Sequence, residues 1–231
     1  MTLFFVTPAW KRFELSEVCF EQRRRVIEGL ARHDIHAECV VVADDENLDI
    51  ARSKGFHTVE QNNEWLGRKF NDGNEYAGKN GADWIVPIGS DSWIDPTYFL
   101  PLPNPRRTRT SPLYAVVEGD RMATLKVDGT STAGPYMFSR QQLEHCNFRP
   151  AGDTLNKNID HSTIVGAGSI RWERKDLHPL QYIGFRGHPH ITKYANLVKR
   201  WGVKEYTDPW DRLKTVYDAD LVDAARKAIN P

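Results

Sequence analysis

Along the first hundred positions, the apolar residues follow two patterns: short continuous runs, and a spacing of three or four residues. Short runs rich in apolar or β-branched residues predict strands, and segments with apolar residues every three or four positions predict helices. The order β-α-β-α-β-α-β is typical of a parallel sheet covered by helices. The runs are residues 3–6, 36–43, 57–60 and 84–88, and the amphipathic segments are residues 14–32, 48–54 and 68–79.

The fourth strand lies in residues 82–96, around which the rest of the chain is arranged. Its run at residues 84–88 is apolar almost throughout, which suits a central strand buried on both faces. The run then breaks into Gly89, Ser90, Asp91 and Ser92. Because ligands bind outside the carboxyl ends of strands in open α/β sheets, we expect Asp91 at a binding crevice. The alternative interpretation is a solvated loop with an Asx-turn.

The second half begins with a proline-rich stretch, residues 101–112, which predicts an extended linker or loop. After it, a hairpin, one more strand and a helix capped by Ser139 are expected, followed by a helix that begins near Asp160. Three further helices are predicted in the tail. These segments are residues 114–117 with 122–127, 134–138, 140–146, 159–166, 194–201, 209–217 and 221–229.

Composition narrows the class of protein. The 231 residues contain 31 Lys and Arg and 31 Asp and Glu, so the net charge of zero gives no general attraction to nucleic acid or to anionic membranes. Three cysteines without metal-site spacing fit a reducing compartment, and we expect a soluble cytoplasmic protein with no membrane span. We interpret Arg23, Arg24 and Arg25 as a solvated helix face.

Three strand ends bring polar residues to one edge of the predicted sheet. Thr7-Pro8 ends the first strand, Asp44-Asp45 ends the second, and residues 89–91 end the fourth. Parallel strands place their carboxyl ends together, so these acids should meet at one crevice. For Asp44 and Asp45 the competing interpretation is capping of the following helix.

The same segments, with residues 71–83 leading to Gly81-Ala82-Asp83, follow the order of a known family. They resemble the GT-A glycosyltransferases, especially the family-two type that uses nucleotide-diphospho-sugars, and the short chain resembles a phage-type enzyme. The resemblance covers residues 1–100 and is loose beyond them. It implies an α/β, Rossmann-like nucleotide-binding half with a mixed sheet, and a smaller α+β acceptor-side half at residues 101–231. Both halves would form one compact domain.

The resemblance also implies roles for individual residues. Asp91 would hold Mn²⁺ or Mg²⁺ at the position of the family's Asp-x-Asp signature, where this chain has only one of the two acids. Glycine-rich residues 184–190 would close the site, with His188 or His190 as a further metal ligand. The expected donor is a nucleotide-diphospho-sugar, most simply a UDP-sugar. Its predicted contacts are Thr7, Pro8, Asp44, Asp45, Arg68, Lys69, Ser90 and Arg186.

Sugar transfer with inversion needs a carboxylate that deprotonates the acceptor hydroxyl. We expect Asp160 in this role and Asp153 as the second choice, whereas a helix N-cap is the structural interpretation of Asp160. The acceptor class stays open between a modified DNA base, a protein and a glycan. Arg106, Arg107 and Arg109 would follow a DNA backbone in the first case.

Two other functions compete with sugar transfer. A nucleotidyltransferase shares the strand-helix order and a metal-binding acid, but it usually has a glycine-rich loop after the first strand, and residues 7–12 contain no glycine. A catalytically inactive nucleotide-sugar-binding module is favoured by the missing second acid of the signature.

Overall fold

The computed structural model describes residues 1–110, 113–126, 136–156, 159–167, 172–174, 178–186 and 194–230. Within them the strands are β1 Thr2–Pro8, β2 His36–Ala43, β3 His57–Glu60, β4 Trp84–Pro87, β5 Ser92–Ile94, β6 Thr108–Thr110, β7 Leu113–Glu118, β8 Arg121–Lys126, β9 Tyr136–Ser139, β10 Trp172–Arg174, β11 Tyr182–Phe185 and β12 Gly202–Tyr206. The α-helices are α1 Phe13–Ala31, α2 Asn47–Ser53, α3 Leu66–Lys79, α4 Arg140–Glu144, α5 Ile159–Gly166, α6 Tyr194–Trp201, α7 Pro209–Leu213 and α8 Ala219–Ile229. The protein is therefore α/β with mixed sheets, as the sequence predicts.

The larger sheet has seven strands in the order β10-β6-β9-β4-β1-β2-β3. Strands β1 to β4 are mutually parallel, whereas β9 runs antiparallel to β4. The predicted parallel alternation over the first hundred residues is thus confirmed, and β4 is the middle strand of the sheet. The bounds of β2 and β3 match the prediction because each strand coincides with a short run that contains apolar or β-branched residues.

The smaller sheet has five strands in the order β12-β8-β7-β11-β5. The predicted hairpin is confirmed as β7 and β8, joined by a turn in which Gly119 has a φ of 58°. Strand β5 was not predicted as a separate strand. It continues directly from the turn after β4, so residues 82–96 pass from one sheet to the other.

Several second-half expectations need correction. The proline-rich stretch ends in strand β6, which pairs with β9, so it is not a loop throughout. Strand β12 was missed because its residues are mostly exposed at the edge of the sheet and show no apolar run. The helix after Ser139 is confirmed, and Ser139 forms a capping box with Gln142. The predicted helix at residues 209–217 ends earlier, at Leu213.

Helix α1 connects the two sheets. Its residues Phe20 and Leu30 belong to the core of the larger sheet, while Leu15 and Cys19 pack with strands of the smaller sheet. The helix therefore buries two faces, and the prediction that Arg23 is solvated is wrong. Only 2% of Arg23 is exposed.

Strands from both sides of residue 100 enter both sheets, and the two-half division at that residue stays a prediction. In the part of the chain that the structure describes, no helix is both long and apolar enough to cross a membrane.

Candidate functional site

The loop after β1 joins the polar ends of the other central strands. The backbone N–H of Lys11 donates to Asp45 Oδ2 at 2.9 Å, and the Arg12 guanidinium lies 3.3 Å from Asp91 Oδ2. Asp45 follows β2, and Asp91 follows β4. The predicted convergence at one sheet edge is therefore confirmed, and residues 11–12 are the link between its two acidic loops.

This link has an unusual backbone. Lys11 and Arg12 both have a φ of 52°, in the left-handed region that side-chain-bearing residues rarely adopt. Such conformations cost on the order of 1–3 kcal/mol each and persist only where neighbouring contacts hold them. Here Asp45 accepts the Lys11 N–H, and the buried Asn47 amide donates to the Lys11 carbonyl at 3.3 Å. The turn aims the Arg12 guanidinium at Asp91.

Asp91 lies between two guanidinium groups. Its Oδ2 is 3.3 Å from Arg12 Nη1 and 3.3 Å from Arg186 Nη1, and its side chain is only 12% exposed. The hydroxyl of Ser92 donates to the other carboxylate oxygen at 3.1 Å. Gly89 makes this arrangement possible, because a Cβ at that position would lie 2.5 Å from Asp91 Oδ1.

Arg186 reaches the site from the end of β11. Its N–H donates to the Val117 carbonyl at 2.7 Å, and the preceding N–H, of Phe185, donates to the Asp91 carbonyl at 2.8 Å. The guanidinium folds back over Gly184, whose absent Cβ would be 3.1 Å from Arg186 Nη2. Backbone pairing and this glycine together fix Arg186 beside Asp91.

A third guanidinium lies beneath the same turn. Arg23 donates from Nη2 to the Ser92 carbonyl at 3.1 Å and lies over the ring of Phe5. Its Nε and Nη1 have no hydrogen-bond partner among the described residues, and burial lowers its pKa. Sequence reasoning missed this residue, although its spacing of four from Cys19 and three from Val26 places it on the apolar stripe of α1.

Asp44 and Asp45 differ in their surroundings. Asp45 is bound to the Lys11 turn, and it accepts from the N–H and the side-chain amide of Asn47, the first residue of α2. Asp44 is exposed and pairs with Asn63 through that residue's N–H and side chain. Of the two carboxylates, Asp44 is therefore the one that an incoming ligand can reach.

Lys69 is buried close to both acids. It donates to the Ala9 carbonyl at 2.8 Å and to the Asn63 side chain. Burial lowers its pKa to about 8, against the opposing attraction of Asp44 and Asp45. Lys69 therefore holds the loop after β1 against α3.

The other predicted donor contacts are less accessible. Thr7, Pro8 and Ser90 are buried, and the Thr7 hydroxyl lies 3.9 Å from the sulfur of Cys39. Arg68 is partly exposed in the first turn of α3, and its charge acts on Asp153. Thr7, Pro8 and Ser90 can thus shape the crevice through the backbone rather than through their side chains.

The two predicted bases are placed differently. The Asp153 carboxylate accepts from Asn71 at 2.7 Å and from Arg149 at 2.9 Å, and these hydrogen bonds lower its pKa. Asp160 is in the first turn of α5, where a helix start was expected, and its side chain lies outside the described residues. His188 and His190 also lie outside them.

The described residues around Asp91 do not fit a divalent cation. One carboxylate faces two guanidinium groups there, so the nearest charges repel a metal ion. Across the described ranges, no group of three or more His, Cys, Asp and Glu side chains is arranged to hold a metal.

Comparison with solved structures decides the fold. Over its full length, the chain matches Staphylococcus aureus TarS, residues 1–349 in complex with UDP-GlcNAc, with a TM-score of 0.57 and 13% identity. The chain has the GT-A fold. It spans 72% of that TarS fragment and 37% of a longer TarS chain, to which its TM-score is 0.50.

A second GT-A match is a mannosyltransferase. The mannosyltransferase PcManGT from Pyrobaculum calidifontis, in complex with GDP-Man and Mn²⁺, matches 98% of this chain and 69% of its own, with a TM-score of 0.50 and 13% identity. CMP:2-keto-3-deoxy-manno-octonic acid synthetase, complexed with CTP, gives a TM-score of 0.48. No protein-family profile matches the sequence, and no curated protein matches it.

Proposed function

We propose that this GT-A chain is a glycosyltransferase that moves a sugar from a nucleoside-diphosphate donor to a hydroxyl acceptor with inversion. The supporting observation is the arrangement of Arg12, Asp91 and Arg186 at the carboxyl ends of the central strands. This edge is where open α/β sheets bind ligands, and guanidinium groups suit phosphate oxygens.

Each part of the donor has a matching part of the crevice. The nucleoside would lie by the exposed Asp44, with Arg68 and Lys69 nearby on α3, and the diphosphate would face Arg12 and Arg186. The resemblance to enzymes that use nucleotide sugars favours a UDP-sugar as the donor. The proposal includes a cytoplasmic location, which would be the host cytoplasm for a phage-encoded enzyme.

The chemical step would use a carboxylate from the second half. Asp160 would accept the proton of the acceptor hydroxyl while the acceptor oxygen attacks the anomeric carbon. The bond from that carbon to the phosphate oxygen breaks, and its electron pair leaves with the nucleoside diphosphate. Asp153 is the weaker candidate, because its hydrogen bonds lower its pKa and hence its basicity. Asp91, His188 and His190 as ligands of Mn²⁺ or Mg²⁺ stay a prediction, and no step here depends on a metal.

A thermal-shift panel tests the proposal. UDP, GDP, CDP and TDP are each added with and without Mn²⁺, and a ligand that binds the folded state raises the melting temperature. One nucleotide should stabilise the protein, and its sugar conjugate should be hydrolysed or transferred. Asp160→Asn should abolish turnover while leaving nucleotide binding intact. The absence of a shift with all four nucleotides would refute the proposal.

The same sample separates the alternatives. Pyrophosphate release from a nucleoside triphosphate and a sugar phosphate would favour a nucleotidyltransferase, and binding without turnover would favour an inactive module. A DNA acceptor has less support than the sequence suggests, because Arg109 is buried and paired with Glu173. Arg106 and Arg107 are exposed, so DNA binding that weakens steeply with salt would still favour that acceptor.

A further inference from the structure

The acid expected to bind a metal is already neutralised by the protein. A Mg²⁺ ion bonded to Asp91 Oδ2 at about 2.1 Å would lie no more than about 5.4 Å from a nitrogen of each guanidinium. Both groups carry a permanent positive charge in a site where Asp91 is mostly buried. Among the described residues, the cluster has two positive side chains for one negative side chain, which disfavours a cation and favours an anion.

We propose that Arg12 and Arg186, oriented by Asp91, neutralise the donor diphosphate, so that this chain binds a nucleoside diphosphate without a divalent cation. The inference rests on the proposed function, since it assigns the diphosphate to this end of the crevice. Asp91 is then a positioning residue for two arginines rather than a metal ligand.

The geometry supports a site in which the arginines can turn toward a ligand. The two contacts to Asp91 are both 3.3 Å, longer than the 2.7–2.9 Å typical of strong charge-assisted hydrogen bonds. A phosphate oxygen can therefore form shorter bonds to the same groups. Each guanidinium is nonetheless confined, Arg12 by the left-handed turn and Arg186 by backbone pairing and Gly184. Such confinement reduces the entropy lost when a ligand binds.

Two further features add positive potential at the same place. Arg23 lies beneath the Asp91–Ser92 turn with most of its side chain away from water, where a charge is screened less. Helix α1 begins at Phe13, directly after Arg12, so the positive end of its dipole is at the cluster. Neither feature would assist a bound cation.

Titration calorimetry on the full chain in EDTA tests the inference. The probes are inorganic pyrophosphate and the four nucleoside diphosphates, each measured again with Mn²⁺ in place of EDTA. Pyrophosphate and one nucleotide should bind in EDTA with affinities that Mn²⁺ changes little. Binding of the nucleotide only when Mn²⁺ is present would overturn the inference and leave the proposed function standing. Pyrophosphate binding without any nucleotide binding would refute the proposed function instead.

Variants distinguish an arginine site from a metal site. Arg186→Gln should weaken binding of pyrophosphate and nucleotide in EDTA by about 10- to 100-fold, the usual effect of losing a hydrogen bond between charged groups. Arg186→Lys, which keeps the charge, should recover part of that loss. Arg121→Gln is the matched control, because Arg121 is an exposed arginine paired with Glu118. Equal affinity in Arg186→Gln and Arg121→Gln would overturn the inference.

The variant Asp91→Asn distinguishes a carboxylate that positions arginines from a carboxylate that binds a metal. Under the inference, Asp91→Asn should weaken binding in EDTA less than Arg186→Gln does, because the amide oxygen can still accept from both guanidinium groups and a negative charge beside the phosphates is lost. If Asp91 is instead a metal ligand, Asp91→Asn should abolish Mn²⁺-dependent binding. The melting temperature and circular dichroism of each variant show that it is folded, and Asp223→Asn, which changes an acid paired with Lys214, is the control.

Discussion

Two glycines shape the charged cluster at the level of single atoms. The Asp91 carboxylate occupies the space that a side chain at position 89 would fill, and the Arg186 guanidinium does the same at position 184. Neither glycine has a positive φ. Both are therefore needed for space rather than for backbone conformation.

We expect Gly89→Ala to displace the Asp91 carboxylate, because the added Cβ would lie 2.5 Å from Oδ1. The affinity for UDP or for the nucleotide that binds best should fall, measured by titration calorimetry. Gly29→Ala, within α1, is the matched control, since among the described residues its Cβ would meet Pro96 alone, at 3.6 Å. That change should leave affinity unaltered and favour the helix by up to about 1 kcal/mol. Unchanged affinity in both variants would contradict the steric role of Gly89.

Glu21 should govern part of the acid stability. A hydrogen bond from Arg24, with further help from Arg25 and Lys54, lowers its pKa from 4.5 to about 2. Because the folded-state pKa is below the unfolded one, the stabilisation is present above pH 4.5 and is lost as the pH falls toward 2. Glu21→Gln should therefore flatten the fall in melting temperature over this window. The exposed Glu64→Gln is the control, and parallel curves for wild type and Glu21→Gln would contradict the assignment.

The residue scale also shows what the sequence could reveal about the site. The acids at strand ends were predictable, because parallel strands place their carboxyl ends together. Their partners were not. Arg12 follows a loop without a recognisable motif, and its direction depends on a left-handed turn held by residues 34 and 36 positions beyond Lys11. Arg23 could have been found from its spacing, had α1 been expected to bury two faces.

At the scale of elements, α3 fastens the loop that carries Asp153. The Asn71 amide donates to the Ala151 carbonyl at 2.7 Å and accepts from the Ala151 N–H at 3.0 Å, and it is buried. Arg149 adds ion pairs to Asp72 and Glu75 on the same helix. Residues 149–153 are thereby fixed against α3.

Asn71→Ala should destabilise the protein by about 1–3 kcal/mol, because two buried backbone groups of Ala151 lose their partner. Urea unfolding measures this free energy. Asn80→Ala is the control, since Asn80 is exposed and bonds only to the last turn of the same helix among the interactions described. A similar loss in both variants would argue against a specific tie between α3 and this loop.

How well the sequence predicts a strand depends on how deeply that strand is buried and on its length. Strand β2 is buried along most of its length and reads as a continuous apolar run, so its bounds were predictable. Strand β12 is exposed and reads as polar, and β6 and β10 have three residues each, too few to show a period. Strand β5 is apolar, but nothing local indicates that it belongs to a second sheet.

At the scale of the molecule, α1 joins two cores that would otherwise be separate. Leu30 packs with the seven-stranded sheet, and Leu15 packs with the five-stranded sheet. Ion pairs from Arg25 to Asp218 and Asp220 also attach the beginning of α8 to this helix. The two sheets should therefore unfold together.

Calorimetry should show one transition for the wild type, with equal calorimetric and van't Hoff enthalpies. Leu15→Ala and Leu30→Ala should each lower the stability of that single transition by about 2–5 kcal/mol without splitting it. Val203→Ala, at a side chain that is 63% exposed, should have little effect. Two resolved transitions in Leu15→Ala would show that the sheets unfold independently.

The left-handed turn at Lys11 and Arg12 has a consequence for selectivity. One end of the turn is held by Asp45, and the other directs Arg12 to Asp91. In the proposed donor complex, Asp45 would lie on the nucleoside side and Arg12 on the phosphate side. A ligand group that alters one end should change the binding free energy at the other, and thermodynamic linkage would make the effect reciprocal. The two ends of the proposed donor would therefore be recognised cooperatively. Selectivity between nucleotide bases would then be measured as a difference in binding free energy at the same diphosphate.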